Sequence, residues 1–135
     1  GIEMLKEISV SEQPWGHEEL WAHTSRYVGK ILCIKAGHRL SRQYHKVKEE
    51  TIMVLEGTLL LEAGPSEVGG TIETYHLTPG AVFHVKPGTI HRFCARDEDV
   101  RLVEVSTTEV EDIVRLEDDY RRVTDIPKPL PHSEK

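Results

Sequence analysis

The sequence predicts an all-β domain, built as an antiparallel sandwich or barrel. Three observations predict it. Strand-like apolar runs recur at short spacing, each bounded by Gly, Pro or acidic turn residues. No stretch of helical period and useful length appears before residue 107. No internal repeat or low-complexity segment interrupts the pattern. At 135 residues the chain has room for one domain with a real core. A hydrophobic fraction of 38% and a charged fraction of 30% describe a soluble globular protein. With 17 Lys and Arg against 23 Asp and Glu, the formal charge of −6 argues against a general nucleic-acid binder. No apolar run approaches the roughly 18 residues of a membrane helix. Cys33 and Cys94 form no disulfide framework, and both lie in strand-like runs as expected for free thiols. With no secretory signal visible, a cytoplasmic location is expected.

Taken in order, residues 1–12 read as an arm or short first strand, and Gln13 to Trp21 as a Pro- and Gly-punctuated loop. That loop is expected to cover one end of a barrel with Trp15 and Trp21. Residues 27–36 form a β-branched strand closed by Gly37. Residues 50–55 and 58–63 read as a hairpin around Glu56-Gly57. On its first strand Glu50, Ile52 and Val54 share one face, while Thr51, Met53 and Leu55 share the other. A polar turn follows over 64–70, then a half-exposed strand over 71–77. Residues 81–86 form the next strand, with Val82, His84 and Lys86 on one face, expected to point inward. Pro87-Gly88 turns the chain into residues 90–95, where His91, Phe93 and Ala95 share a face. Residues 100–106 alternate strongly, and the charged segment to residue 122 is anchored by Ile113, Val114 and Leu116. Residues 123–135 carry three prolines and read as a loose tail.

Two glycine-bounded stretches concentrate the ligand-type side chains. In Gly37 to Gly57, Gln43 and His45 are two apart on one strand face, and Glu50 opens the next strand. In Gly80 to His91, a strand passes through a Pro-Gly turn to a second histidine. Imidazole and carboxylate on a common face suit a first-row metal ion. The paired stretches resemble the two sequence motifs of the cupin family. Gly37, His45, Glu50 and Gly57 fall on the first motif in register, and Gly80, Gly88 and His91 on the second. Three positions depart from the family pattern: Gln43 replaces a histidine, Lys86 takes the proline position with Pro87 next, and Ala95 replaces an asparagine. The resemblance implies a single cupin domain over residues 13–122, a double-stranded β-helix or jelly roll. It also implies one divalent ion (Zn, Mn, Fe or Ni) held by Gln43, His45, Glu50 and His91.

Three further segments resemble the C-terminal cupin domain of type II mannose-6-phosphate isomerases. They are Pro14-Trp15-Gly16, the Leu-Ser-x-Gln-x-His run at residues 40–45, and the Asp-Ile-x-Arg run from Asp112 that leads to Arg122. Within that subgroup the glutamine at 43 is the expected residue, whereas Arg121 stands in place of a glycine. The large nucleotidyltransferase domain that often precedes this cupin lies outside the resemblance. The resemblance implies aldose–ketose isomerisation of a sugar phosphate through an enediol. His84 and Lys86 are then candidate bases, and Arg115 and Arg122 candidate phosphate clamps. The alternatives are another metal-dependent cupin enzyme, a dioxygenase or lyase, and a sugar-binding module without turnover. An apolar outer face including Met53 and Leu55 leads us to expect a homodimer, with the arm contributing.

Overall fold

The computed structural model describes residues 2–122, and the expected tail over 123–135 lies outside them. Twelve strands follow a single 3₁₀ turn at Ile2–Met4, and no α-helix occurs among the described residues. They are β1 (Ser9–Gln13), β2 (Gly16–His23), β3 (Val28–Ile34), β4 (His38–Arg39), β5 (Arg42–Tyr44) and β6 (Glu50–Glu56), then β7 (Leu59–Pro65), β8 (Glu73–Leu77), β9 (Val82–Val85), β10 (Thr89–Ala95), β11 (Val100–Ser106) and β12 (Val114–Glu117). Two sheets form, ordered β1-β2-β3-β11-β6-β9 and β12-β5-β10-β7-β8, with β4 also paired to β10. All of the pairings are antiparallel. The core lies between the sheets, where Leu32, Ile52, Val54, Leu61, Phe93 and Leu102 are buried. Each such side chain contributes about 1.5–3 kcal/mol of transfer free energy. The result is the expected all-β jelly roll.

Strand parity follows the sequence in most places. On β6 Glu50, Ile52 and Val54 point inward while Met53 faces out, and on β10 His91, Phe93 and Ala95 are buried. Four expectations are corrected. Residues 50–63 do not form a hairpin: β6 pairs with β11 and β9, whereas β7 pairs with β10 and β8. The link is a corner between sheets, turned at Gly57 with φ of 79°. A Cβ there would come within 2.2 Å of the Asp99 carbonyl oxygen, so only glycine fits. Pro87-Gly88 likewise carries the chain from β9 in one sheet to β10 in the other.

The stretch from Gln13 to Trp21 is not a loop but the turn and second strand of a hairpin between β1 and β2. The sheet therefore begins at Ser9, and the residue 12/13 boundary falls inside β1. Trp15 at the turn is buried in the core, while Trp21 is exposed. Pro14 and Gly16 mark the turn, and the charged side chains of β2 conceal its period. Finally, His84 and Lys86 do not point inward. Phe83 and Val85 take the core-facing positions of β9, because the strand enters the sheet with the opposite parity.

Candidate metal centre

The corner between β5 and β6 and the turn before β10 bring three ligand-type side chains together. His45, Glu50 and His91 are all buried, with donor atoms within 4.8 Å of one another. His45 Nε2 and His91 Nε2 each lie 3.2 Å from Glu50 Oε1. The other ring nitrogens face backbone carbonyls, His45 Nδ1 at 2.6 Å from the Asp112 oxygen and His91 Nδ1 at 2.9 Å from that of Thr89. A carbonyl oxygen only accepts, so each Nδ1 carries a proton and donates it. In the neutral rings both Nε2 lone pairs then converge on a carboxylate oxygen. Three acceptors at such distances repel one another unless a cation sits among them. Neighbouring donors around one ion with bonds of about 2.0–2.2 Å are separated by about 3.0–3.4 Å. The residues thus fit a divalent ion, and the backbone carbonyls fix the tautomer that ligation requires.

Gln43 stands beside this group. It is the cross-strand partner of His91 between β5 and β10, so the two side chains share the inner face. Its amide nitrogen donates to Ser41 Oγ at 3.1 Å, which orients the amide. Asp112, unremarked in the sequence beyond its place in the closing run, braces the loop that carries His45. Its carboxylate accepts the backbone N–H groups of Lys46, Val47 and Lys48 at 3.0, 2.7 and 2.8 Å. Although burial raises its carboxyl, these three donors bring it down to about 2.

Behind Glu50 lie two further buried charges that the sequence reading missed. Lys48 Nζ is 3.2 Å from Glu104 and 3.8 Å from Glu50. Burial pushes the Glu50 carboxyl up, but when the two rings are protonated and donate to it, His45 and His91 together with Lys48 outweigh burial and hold Glu50 well below the carboxylate range. Glu104 goes the other way: burial and the Glu50 charge push its carboxyl up to about 8. Burial lowers Lys48, but Glu104 and Glu50 more than compensate, leaving it raised. The signal for Glu104 was available, as it shares the inner face of β11 with Val100 and Leu102. A glutamate in an otherwise apolar inward row is a polar group that the cavity must satisfy.

These residues line a cavity of about 150 Å³ between the sheets. Arg115 and Arg122 line it too, and since both are part-exposed while His45, Glu50 and His91 are buried, they form its mouth. Arg122 is held by Asp118, donating from Nε at 2.7 Å and Nη2 at 3.3 Å, and stacks over Tyr120 at 5.5 Å. Arg121 has φ of 62°, the left-handed region that favours glycine, at the position where the sequence departs from a glycine. His84 and Lys86 are outside this cavity: His84 is exposed and bonds Glu49 at 2.7 Å and Thr51 at 2.9 Å, while Lys86 lies at a surface turn.

A family profile described as a cupin domain matches residues 30–106, more than half of the chain. The chain belongs to the cupin family. Other cupins and related structures share its fold. CapF, a capsular polysaccharide assembling protein from Staphylococcus aureus, superposes with a TM-score of 0.72 at 16% identity, over 82% of this chain and 34% of CapF. This cupin therefore spans only about a third of CapF. Oxalate decarboxylase from Lactobacillus farciminis gives 0.69 at 14% identity, over 82% of this chain and 34% of that one. A sugar phosphate isomerase of the cupin superfamily from Silicibacter pomeroyi gives 0.53 at 22% identity, covering 67% and 59%. At these identities the likeness establishes the fold. No curated protein matches in sequence.

Proposed function

We propose that this cupin is a metal-dependent sugar-phosphate isomerase of the mannose-6-phosphate type. The observation that carries the reading is the placement of two arginines, Arg115 and Arg122, at the mouth of the cavity that holds His45, Glu50 and His91. A cation pair above a ligand cluster suits a substrate with a phosphate at one end and vicinal oxygens at the other. Support also comes from the fold shared with a sugar phosphate isomerase.

His45, Glu50 and His91 would hold the ion, with Gln43 completing the set through its amide oxygen. A divalent ion there supplies Lewis acidity. Arg122, fixed by Asp118, and Arg115 would grip the phosphate and set the depth of the open-chain sugar. In the isomerisation a proton leaves the hydroxyl-bearing carbon and returns to the former carbonyl carbon. A second proton passes between the two oxygens, so the reaction is redox-neutral. The base must reach into the cavity. Glu104 does, buried and 3.2 Å from the Lys48 ammonium, whereas His84 and Lys86 do not. Water exclusion by the buried walls strengthens each of these polar contacts.

A homodimer belongs to the same reading. Across the outer face of the first sheet Val82 opposes Met53, Met53 opposes Val103, and Val103 opposes Ile31, making one apolar row. A monomer mass by light scattering at micromolar concentration would end that part. The test of function follows mannose 6-phosphate, fructose 6-phosphate and pentose phosphates with metal-loaded protein. Interconversion of one aldose–ketose pair is expected. No turnover and no thermal shift with any of them would end the isomerase reading.

A further inference from the structure

The outer face of the first sheet carries a second group of ligand-type side chains, separated from the cavity by the sheet itself. Glu18, Lys30 and Leu32 of β2 and β3 line the cavity, whereas His17, Glu19 and Cys33 alternate with them and face out. His17 and Glu19 are two apart on β2, and Cys33 of β3 is the cross-strand partner of His17. His17 Nε2 lies 3.1 Å from Glu19 Oε2, and Cys33 Sγ lies 3.9 Å from the same oxygen. All three donor atoms fall within 4.8 Å of one another. Around a four-coordinate ion with bonds of about 2.0–2.3 Å, such donors are separated by about 3.4–3.6 Å. The two distances bracket that value, and the third pair, His17 and Cys33, lies within 4.8 Å, so side-chain rotation must draw the donors onto one ion.

We propose that His17, Glu19 and Cys33 form a second metal site, which takes a single zinc ion. One imidazole, one carboxylate and one thiolate make a donor set of mixed softness, suited to zinc over magnesium or calcium. The three side chains are half-buried, at the edge of a surface hollow of about 450 Å³, so solvent supplies the fourth ligand. Arg101, the cross-strand partner of Cys33, also bonds its sulfur, a contact the ion would displace, and its charge must be answered. Glu56 answers it, accepting a bond from Arg101 Nη1 at 2.5 Å. On binding, the Cys33 thiol gives its proton to solvent and the ion takes the thiolate. The ordinary alternative is an ion pair of His17 with Glu19 beside a free thiol, and it makes different predictions.

Cobalt(II) is the probe, added to chelator-stripped protein. A cobalt ion bound by a thiolate shows a near-ultraviolet sulfur-to-metal charge-transfer band. The inner group contains no sulfur, so this band reports the outer site whatever the inner group does. The wild type should develop the band, and zinc should displace it. Cys33→Ser should abolish it, Cys94→Ser should keep it, and His17→Ala should weaken cobalt binding by at least about tenfold. Zinc should also slow modification of Cys33 by a thiol reagent. A wild type without the band at saturating cobalt, a band of equal strength in Cys33→Ser, or one that follows Cys94 would overturn the site.

Discussion

Glu49 and Glu50 are neighbours in sequence, and each meets a histidine from the same downstream stretch, yet the two pairs live in different solvents. Glu49 bonds His84 at 2.7 Å on the outer surface, with 49% and 43% of the side chains exposed. Glu50 Oε1 lies 3.2 Å from His91 Nε2 inside the barrel, where both side chains are 2% exposed. Water screens the outer pair, so its net worth is about 0–1 kcal/mol. The inner pair has lost its hydration, and its members must be answered by other charges or an ion. One step of strand parity separates a solvated ion pair from a candidate metal centre. The mouth of the cavity is an intermediate case, where Arg122 is 28% exposed and its partner Asp118 is fully buried.

The sharpest test of that contrast removes one member of each pair. His91→Ala, made in a Cys33→Ser background that removes the outer sulfur ligand, should take away most of the bound metal, lowering affinity by more than about a hundredfold, since outer partners alone are worth 10–100-fold. Glu49→Ala should leave metal content unchanged. Elemental analysis of both variants, purified without a histidine tag, decides it. Full occupancy in His91→Ala would show that His91 is not a ligand and the assignment wrong.

At the mouth the effects should be smaller and should fall on substrate and stability. Arg122→Ala should raise KM for a phosphorylated sugar, by about 1.5–3 kcal/mol in transition-state binding, with metal retained. An unchanged KM would remove Arg122 from the phosphate site. Asp118 tests the same anchor from the other side. Burial raises its carboxyl, but the bonds from Arg122 and from the backbone of Tyr120 and Arg122 more than reverse that and hold it below the usual range. Because the folded value is depressed, its stabilisation is present above the unfolded carboxylate range near pH 3.9 and is lost as pH falls through the lower folded value. Asp118→Asn should cost about 1–3 kcal/mol at neutral pH. It should also flatten the acid limb of stability below about pH 4, as read by denaturant titration across pH.

Much of this was legible in the sequence because strand period and glycine spacing are local properties. The inward faces of β6 and β10 follow from alternation alone, and with them His91, Glu50 and their companions. The family resemblance put Gln43 and His91 in one ligand set, and the structure makes them cross-strand partners. What failed was non-local. The corner at Gly57 looks like a hairpin in sequence, since only the partner strands reveal that β6 and β7 belong to different sheets. The parity of β9 depends on how it enters against β6, so His84 and Lys86 were placed on the wrong face. Glu104 was legible from alternation on β11, but Lys48 comes from a separate segment and acquires meaning only once β11 pairs beside β6. Asp112 braces the His45 loop across 64 to 66 residues of chain, a contact invisible to any local pattern.

The smallest expected effect is on the outer pair, and it tests the parity argument most directly. His84 was a candidate base when β9 was read with its polar face inward. With His84 bonded to Glu49 and Thr51 in water, its removal should touch neither the cavity nor the ion. A double-mutant cycle with His84→Ala and Glu49→Ala should give a coupling of about 0–1 kcal/mol, shrinking as salt rises. Metal content and any sugar-phosphate turnover should stay at the wild-type level in all three variants. A loss of turnover in His84→Ala with metal intact would contradict this. The outer face of β9 would then have to reach substrate by some route other than the cavity, and the contrast between Glu49 and Glu50 would no longer separate surface from site.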